Sequence, residues 1–466
     1  MHTVIHWFRR DLRLTDNTAL HAASQGGARV IPVFILSKWT TSHAWTGANR
    51  QSFLCDCLRS LDANLRAIGA RLILREGDAV EELCRLAKET AATEIFFNRD
   101  PDPWGRSVEE RLTKAAAQEG LHCRAFKDVA IHERQEVLTG AGEPFRVFTP
   151  YSRAWAKLSK PPVLPAVKTL PAIPETASLE LPDLSRWNLP PAGGGLLPGG
   201  EKAARERLKD FVARRSLHYA DTRDLPSVPG TSRLSQDLRF GLLSPREVHR
   251  KCLDAADQAD ATGRGSLMKF IAEIVWREFY MQILWNFPSV LELEFNPKFR
   301  GMTWPGDLRG LDAWAHGETG FPIVDAAMRE LRETGFMHNR CRMITAMFLT
   351  KDLHLDWRLG ERHFMQFLMD GEIASNNGGW QWSAGTGADA APYFRIQNPW
   401  SQTLRYDPDA AYIKKWIPAL RDVPAKRLCE PPAPGTRLAR DYPPPIVDHA
   451  ASRDLTLALF KSAGSR

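Results

Sequence analysis

Asn376-Asn377-Gly378-Gly379-Trp380-Gln381-Trp382 sets two asparagines, two glycines and two indoles side by side, with Ala391-Pro392-Tyr393-Phe394-Arg395 a short way on. A packed core has little use for such a run. Amides are costly to bury unless paired, and glycine weakens a helix. The run points to a flat, polar ligand. A second group is Glu273, Trp276, Arg277 and Tyr280. Their i, i+3, i+4, i+7 spacing puts them on one face of a helix predicted over 269–285. That face reads either as solvated, with Glu273 and Arg277 paired along the helix, or as a ligand face. The second is open because Trp and Tyr in water need a reason.

Two weaker signals accompany these. In His338-Asn339-Arg340-Cys341-Arg342-Met343, the residues Asn339, Arg342 and Met343 share a face with Met347. The methionines read equally as core, and Arg342 as half of an ion pair. Thr231-Ser232-Arg233-Leu234-Ser235, preceded by Tyr219, Arg223 and Asp224, is a hydroxyl-rich turn. It reads as a helix cap or as a phosphate cradle at a helix start.

The elements that must carry these groups fall into two kinds. Apolar runs at 4–8, 30–36, 71–74, 94–97 and 122–126 read as strands, with helical stretches such as 49–68 between them. That alternation predicts an α/β domain over 1–130 with a doubly wound, Rossmann-like parallel sheet. No G-x-G-x-x-G follows the first strand, so the usual dinucleotide fingerprint is missing. Residues 131–200, rich in Pro and Gly from 160 on, read as an interdomain connection. From 201 to 466 the apolar spacing is helical, as at Phe270, Ile274, Met281 and Leu284, which predicts an all-helical domain.

Composition narrows the function. A hydrophobic fraction of 43% and a charged fraction of 25% are those of a globular protein. No run of 18 apolar residues predicts a membrane span, and the N-terminus lacks a signal-peptide pattern, so a cytoplasmic protein is expected. The seven cysteines have no C-x-x-C or Cys/His ligand spacing, and no metal site is expected. The net charge of +7 is the sign a phosphate backbone attracts.

The segment 319–395 resembles the flavin-binding catalytic domain of the DNA photolyase/cryptochrome family. The resemblance runs from His6-Trp7-Phe8-Arg9-Arg10-Asp11-Leu12-Arg13 to Pro444-Pro445-Ile446-Val447-Asp448-His449, nearly the whole chain. It is strongest to the class I cyclobutane pyrimidine dimer (CPD) photolyases, and it implies FAD as cofactor and damaged DNA as partner of a monomer. By this resemblance Tyr219, Thr231, Ser232, Arg233, Leu234 and Ser235 hold the FAD pyrophosphate and ribitol. Arg342 pairs with Asp370 beside the isoalloxazine, Glu372 meets the ring edge, and Asn376 faces flavin N5. Trp380, Trp357 and Trp304 form an electron relay from flavin to surface; each alone reads as core.

The resemblance also assigns Glu273, Trp276, Asn339 and Met343 to the dimer, with Glu273 donating a hydrogen bond from a carboxyl whose pKa an apolar pocket raises and Trp276 stacking on a base. Arg223, Arg277, Tyr280, Arg340, Trp382, Arg395 and Gln402 are the further DNA-side residues. Glu372 departs from the Asp expected there. The order Asn339-Arg340-x-Arg342-Met343 looks like the CPD type rather than the (6-4) type. A second chromophore is expected in the α/β domain. Trp104 and Gly105 stand where the folate-binding type has Asn-Glu. Arg50 and Asp100 look more like the 8-hydroxy-deazaflavin type, which is favoured over methenyltetrahydrofolate. The alternative function is a cryptochrome-like blue-light receptor without repair. Asn376, where plant-type cryptochromes carry Asp, and the short stretch after His449 weigh toward repair. A flavin-dependent oxidoreductase would leave the three relay tryptophans without a use.

Overall fold

The computed structural model describes residues 2–38 and 45–463. Strands Thr3–Phe8 (β1), Arg29–Leu36 (β2), Ile73–Glu76 (β3), Ala92–Asn98 (β4) and His122–Phe126 (β5) form one parallel sheet in the order β3-β2-β1-β4-β5. Each falls on or within two residues of an apolar run read from the sequence. Central β1 is buried at every residue, as expected of a parallel strand covered on both faces. Its side chains alternate between two cores. Ile5 and Trp7 join Ile31, Val33, Leu83 and Leu112 under the helices Ala79–Thr90 and Pro103–Gln118. Val4 and Phe8 join a core that runs on into Leu234, Leu238, Phe270 and Ile274 of the helical part. One face of the sheet is therefore continuous with the core of the second domain.

From Glu201 onward every regular element among the described residues is helical. Four helices matter for the site: Ala261–Asn286, the longest at 26 residues, then Asn339–Met347, Trp357–Phe367 and Ile373–Ala384. No described helix is long and apolar enough to cross a membrane. The stretch expected as a connection, 131–200, differs from that reading at its start. Phe148–Lys157 is a helix, and Tyr151 and Trp155, one turn apart, share a core with Val275, Phe279 and Met281. Residues 158–183 have no helix or strand, as their prolines dictate.

A buried charge cluster locks the two domains. Arg13, just past β1, donates to both oxygens of Asp128, past β5, at 2.8 and 2.7 Å. Arg246, in the first turn of the helix Pro245–Gln258, donates to Asp128 at 2.7 Å and to Asp16 at 3.1 Å. Burial alone would raise the Asp128 carboxyl, but the guanidiniums of Arg13 and Arg246 outweigh it and hold it at about 2. The sign follows. A carboxylate depressed from an unfolded value of about 3.9 contributes stability that is complete above that value and is lost as pH falls toward 2. Asp128→Asn is expected to cost about 3–5 kcal/mol at neutral pH, because the buried Arg13 loses its carboxylate partner and Arg246 is left with Asp16 alone. Thermal unfolding from pH 7 to pH 2 checks this: the variant starts lower and lacks this part of the acid-dependent decline.

Candidate functional site

A cavity of about 490 Å³ opens between the long helix and the helix Ile373–Ala384. The long helix gives one wall through Phe270, Glu273, Trp276, Arg277 and Tyr280. Asn376, Gly379, Trp380 and Trp382 form the opposite wall, and Asn339, Arg342 and Met343 a third side. Tyr219, Arg223 and the run Thr231 to Ser235 close the end. The four motifs found scattered along the sequence thus converge on one space.

The walls carry polar groups with no partner among the described residues. Asp370 Oδ1, Arg233 Nε and Trp380 Nε1 are buried and unsatisfied, a state that costs free energy unless a ligand meets them. A Cβ placed on Gly379 would meet nothing within 4 Å, so the backbone there is bare toward the cavity. Arg342 donates to Asp370 at 2.8 Å, and its Nε to the Met337 carbonyl at 2.8 Å. Burial would raise the Asp370 carboxyl, but Arg342 outweighs it and keeps it below the usual range. Arg233 sits at φ 57° with its guanidinium 3.7 Å from the Phe336 ring centroid. Asn376 donates through Nδ2 to the Glu361 carbonyl at 3.0 Å, which leaves Oδ1 as its acceptor. A polar planar ligand with a phosphate-bearing tail, such as FAD, suits this set: an ion pair, an amide acceptor, hydroxyls and a guanidinium on the lining of one cavity.

The dimer-side expectations are met in part. Trp276 is on the cavity wall, backed by Phe148 in a nearly parallel stack at 3.7 Å. Glu273 does not lie in an apolar pocket. It accepts a hydrogen bond from Arg223 at 2.5 Å, a cation where an apolar surround was expected. It does not pair with Arg277 either. Arg277 is turned away to Val129, Leu238 and Glu372, which corrects its assignment to DNA: its donors are consumed inside the protein. Arg340 is only partly available, held by Asp224 at 2.9 Å and stacked over Tyr406. Arg395 is exposed and Gln402 half-buried, both outside the cavity lining. Met347 is fully buried, which answers its reading as core.

Three further expectations are corrected. Glu372 lines the cavity, but its carboxylate bonds Arg10 and Arg277 because its extra methylene reaches the domain interface. Arg50 is buried and donates to the carbonyls of Trp45, Met365 and Leu368, so it clamps the domains and most of its donors are taken. Asp100 is likewise spent on Arg9 and Arg10.

Trp380 lines the cavity, Trp357 is fully buried, and Trp304 is half-buried against the same core. Trp357 donates to Glu294 at 3.2 Å. A fourth indole, Trp314, lies 6.0 Å from Trp380. The sequence reading missed Phe148, Phe336 and Arg10. The Arg9-Arg10-Asp11 run at the end of the first strand was the available signal, since ligands and charges collect at the carboxyl ends of parallel strands.

Family models for DNA photolyase and for the FAD binding domain of DNA photolyase match residues 4–174 and 270–462. A deoxyribodipyrimidine photo-lyase of Salmonella typhimurium is 41% identical over 99% of both chains. Among solved structures, a bacterial class III photolyase from Agrobacterium tumefaciens superposes with a TM-score of 0.92 at 37% identity, covering 100% of this chain and 98% of that one. A Synechocystis cryptochrome gives 0.89 at 28% identity, covering 98% and 99%.

Gly360 tests the packing beneath the cavity. A Cβ there would stand 2.0 Å from the Trp380 ring, which Phe364 holds edge-on at 4.9 Å. Gly360→Ala is expected to cost about 1–3 kcal/mol by overpacking and to displace the indole. Thermal unfolding together with the near-ultraviolet dichroism of the tryptophans checks both.

Proposed function

The chain belongs to the DNA photolyase family, and from that premise we propose that it repairs cyclobutane pyrimidine dimers in DNA with light, FAD being held in the cavity described above. The observation that carries this reading is that Glu273, Trp276, Asn339 and Met343 line the same cavity as Asn376 and the Arg342–Asp370 pair. A receptor without a substrate would leave the first group without a use.

Reduced FAD, when bound, would supply light-driven one-electron chemistry to the dimer. The chain's own residues bind, orient and exclude water. The chain would meet DNA phosphates through exposed cations such as Arg395, so affinity would fall as salt rises. Extrusion of the damaged pair from the stack is the general solution for enzymes that act on bases, photolyases among them. Trp276, stiffened from behind by Phe148, offers a flat face to a base. Glu273, oriented by Arg223, accepts from a pyrimidine N–H. Asn376, its Nδ2 spent on the Glu361 carbonyl, would offer Oδ1 as an acceptor to a flavin N–H. The buried indoles of Trp380 and Trp357, with Trp304 beyond, carry electrons inward to the flavin by short hops. We further propose cytoplasmic action as a monomer, and a second chromophore in the α/β domain held by residues other than Arg50 and Asp100.

The test is an oligonucleotide with one cyclobutane thymine dimer, in blue light and in darkness, with reduced FAD-loaded protein. Thymine absorbance should return only in light; no return in light overturns the reading. Glu273→Ala should keep FAD and weaken repair by roughly 10–100-fold, the worth of a charge-assisted hydrogen bond of about 1.5–3 kcal/mol. Trp380→Phe should stop photoreduction of oxidised flavin yet leave repair by chemically reduced protein largely intact. Photoreduction at the normal rate in that variant would remove Trp380 from the relay.

A further inference from the structure

Glu372 precedes the helix Ile373–Ala384 as its N-cap and accepts the Asn376 amide through its carbonyl at 2.9 Å. Its side chain caps no backbone amide of the helix, though it accepts from the Ser375 hydroxyl at 3.2 Å. The carboxylate instead accepts from Arg10 and from Arg277, the latter at 3.1 Å. Arg10 lies two residues beyond the end of β1, in the other domain. It also donates to Asp100 at 3.0 Å, to Asp102 at 3.2 Å and, through Nε, to the Arg239 carbonyl at 3.4 Å. Arg239 in turn donates to the Gly371 carbonyl at 3.1 Å. The peptide that leads into the helix is therefore held on both sides: the Gly371 carbonyl by Arg239, the Glu372 side chain by Arg10 and Arg277.

Arg10, Asp102 and Glu372 are all less than a tenth exposed. Guanidiniums of Arg9, Arg10, Arg239 and Arg277 are interleaved here with the carboxylates of Asp100, Asp102, Glu109 and Glu372. Burial would raise the Glu372 carboxyl, but Arg277 and Arg10 outweigh it and hold it below its usual value. Glu372 is thus an ionised group on the cavity wall whose counter-charge comes partly from outside the helical domain. Asn376 follows it by one turn.

We propose that Arg10, a residue of the α/β domain that does not line the cavity, is a positioning residue for the flavin site: through Glu372 it fixes the first turn of the helix that carries Asn376 and Trp380, and it balances the carboxylate charge beside the flavin. The charge part of this rests on the reading that the cavity holds FAD; the grip on the helix does not. Without Arg10, the Glu372 carboxylate is under-compensated and disfavours the anionic reduced flavin more than the neutral oxidised one.

The experiment measures FAD affinity in both redox states for the full chain and for Arg10→Met, Arg10→Lys, Glu372→Gln and the Arg10→Met/Glu372→Gln double variant. Arg10→Met is expected to weaken reduced FAD about tenfold more than oxidised FAD, which a thermodynamic cycle converts to about 30 mV for a two-electron couple. Arg10→Lys, which keeps the charge and should fold where Arg10→Met does not, should shift the ratio less than threefold. In the Glu372→Gln background, Arg10→Met should leave the ratio of the two affinities unchanged, since Arg10 then has no partner carboxylate on the cavity wall; Asp100 and Asp102 lie outside that lining. Equal weakening of both redox states by Arg10→Met, or the same tenfold bias in the Glu372→Gln background, overturns the charge role. Hydrogen exchange of the 373–376 amides in flavin-free protein reads the grip separately. Faster exchange there, with the β1 amides unchanged, supports it, and unchanged exchange overturns it. If the parent chain itself takes up no FAD, the reading of the cavity falls, while the exchange result still decides the grip.

Discussion

The buried carboxylate of Glu372 is the constraint on which the site depends. An ionised group out of water is tolerable only when paired and hydrogen-bonded, and its two partners come from different domains: Arg10 from the end of β1 and Arg277 from the long helix. Satisfying it fixes the sheet, the long helix and the helix Ile373–Ala384 against one another. The same device recurs across the interface. Arg13 and Arg246 share Asp128, Arg50 caps the carbonyls of Met365 and Leu368, and Glu201 accepts the amides of Leu14 and Thr15. The continuous apolar core supplies burial, while these polar bonds permit only one docking.

The glycines of the opening motif serve closeness more than flexibility. A Cβ on Gly378 would fall 2.1 Å from the Tyr280 ring, so this glycine lets the helix Ile373–Ala384 lie against the long helix. Gly379, its neighbour, faces the open cavity. Gly360 makes the matching approach behind, where the Trp380 ring fills the space a side chain would take. Two close helix contacts thus set the depth of the cavity and the seat of the first indole. The asparagines split likewise. Asn376 faces the cavity, while Asn377 ties the Val290 carbonyl to Glu361. Burial pushes the Glu361 carboxyl up to about 8.

Local pattern was legible in the sequence wherever one element carried the signal. The five strands followed from apolar runs, and the Glu273–Trp276–Tyr280 wall followed from helical spacing. What could not be read was which charge meets which. Spacing offered Glu273 to Arg277 along the helix, yet each found a partner from elsewhere: Arg223 for Glu273, Glu372 for Arg277. Arg50 and Asp100 were read as antenna residues from the resemblance alone, and the sequence did not show that Arg50 meets carbonyls of the helical domain or that Asp100 meets Arg9 and Arg10. Phe148 was hidden because the prolines after it made the whole stretch resemble a linker, although Tyr151 and Trp155 already carried a helical stripe.

The central claim is that one cavity brings a reduced flavin and an extruded pyrimidine dimer within electron-transfer reach. The excited-state lifetime of the reduced flavin tests it most directly, measured with the protein saturated by dimer-containing DNA and, separately, by undamaged DNA of the same sequence. Electron transfer to the dimer predicts a lifetime shortened only by the damaged strand. An unchanged lifetime with dimer DNA demonstrably bound would contradict a shared cavity, whatever the protein does with light.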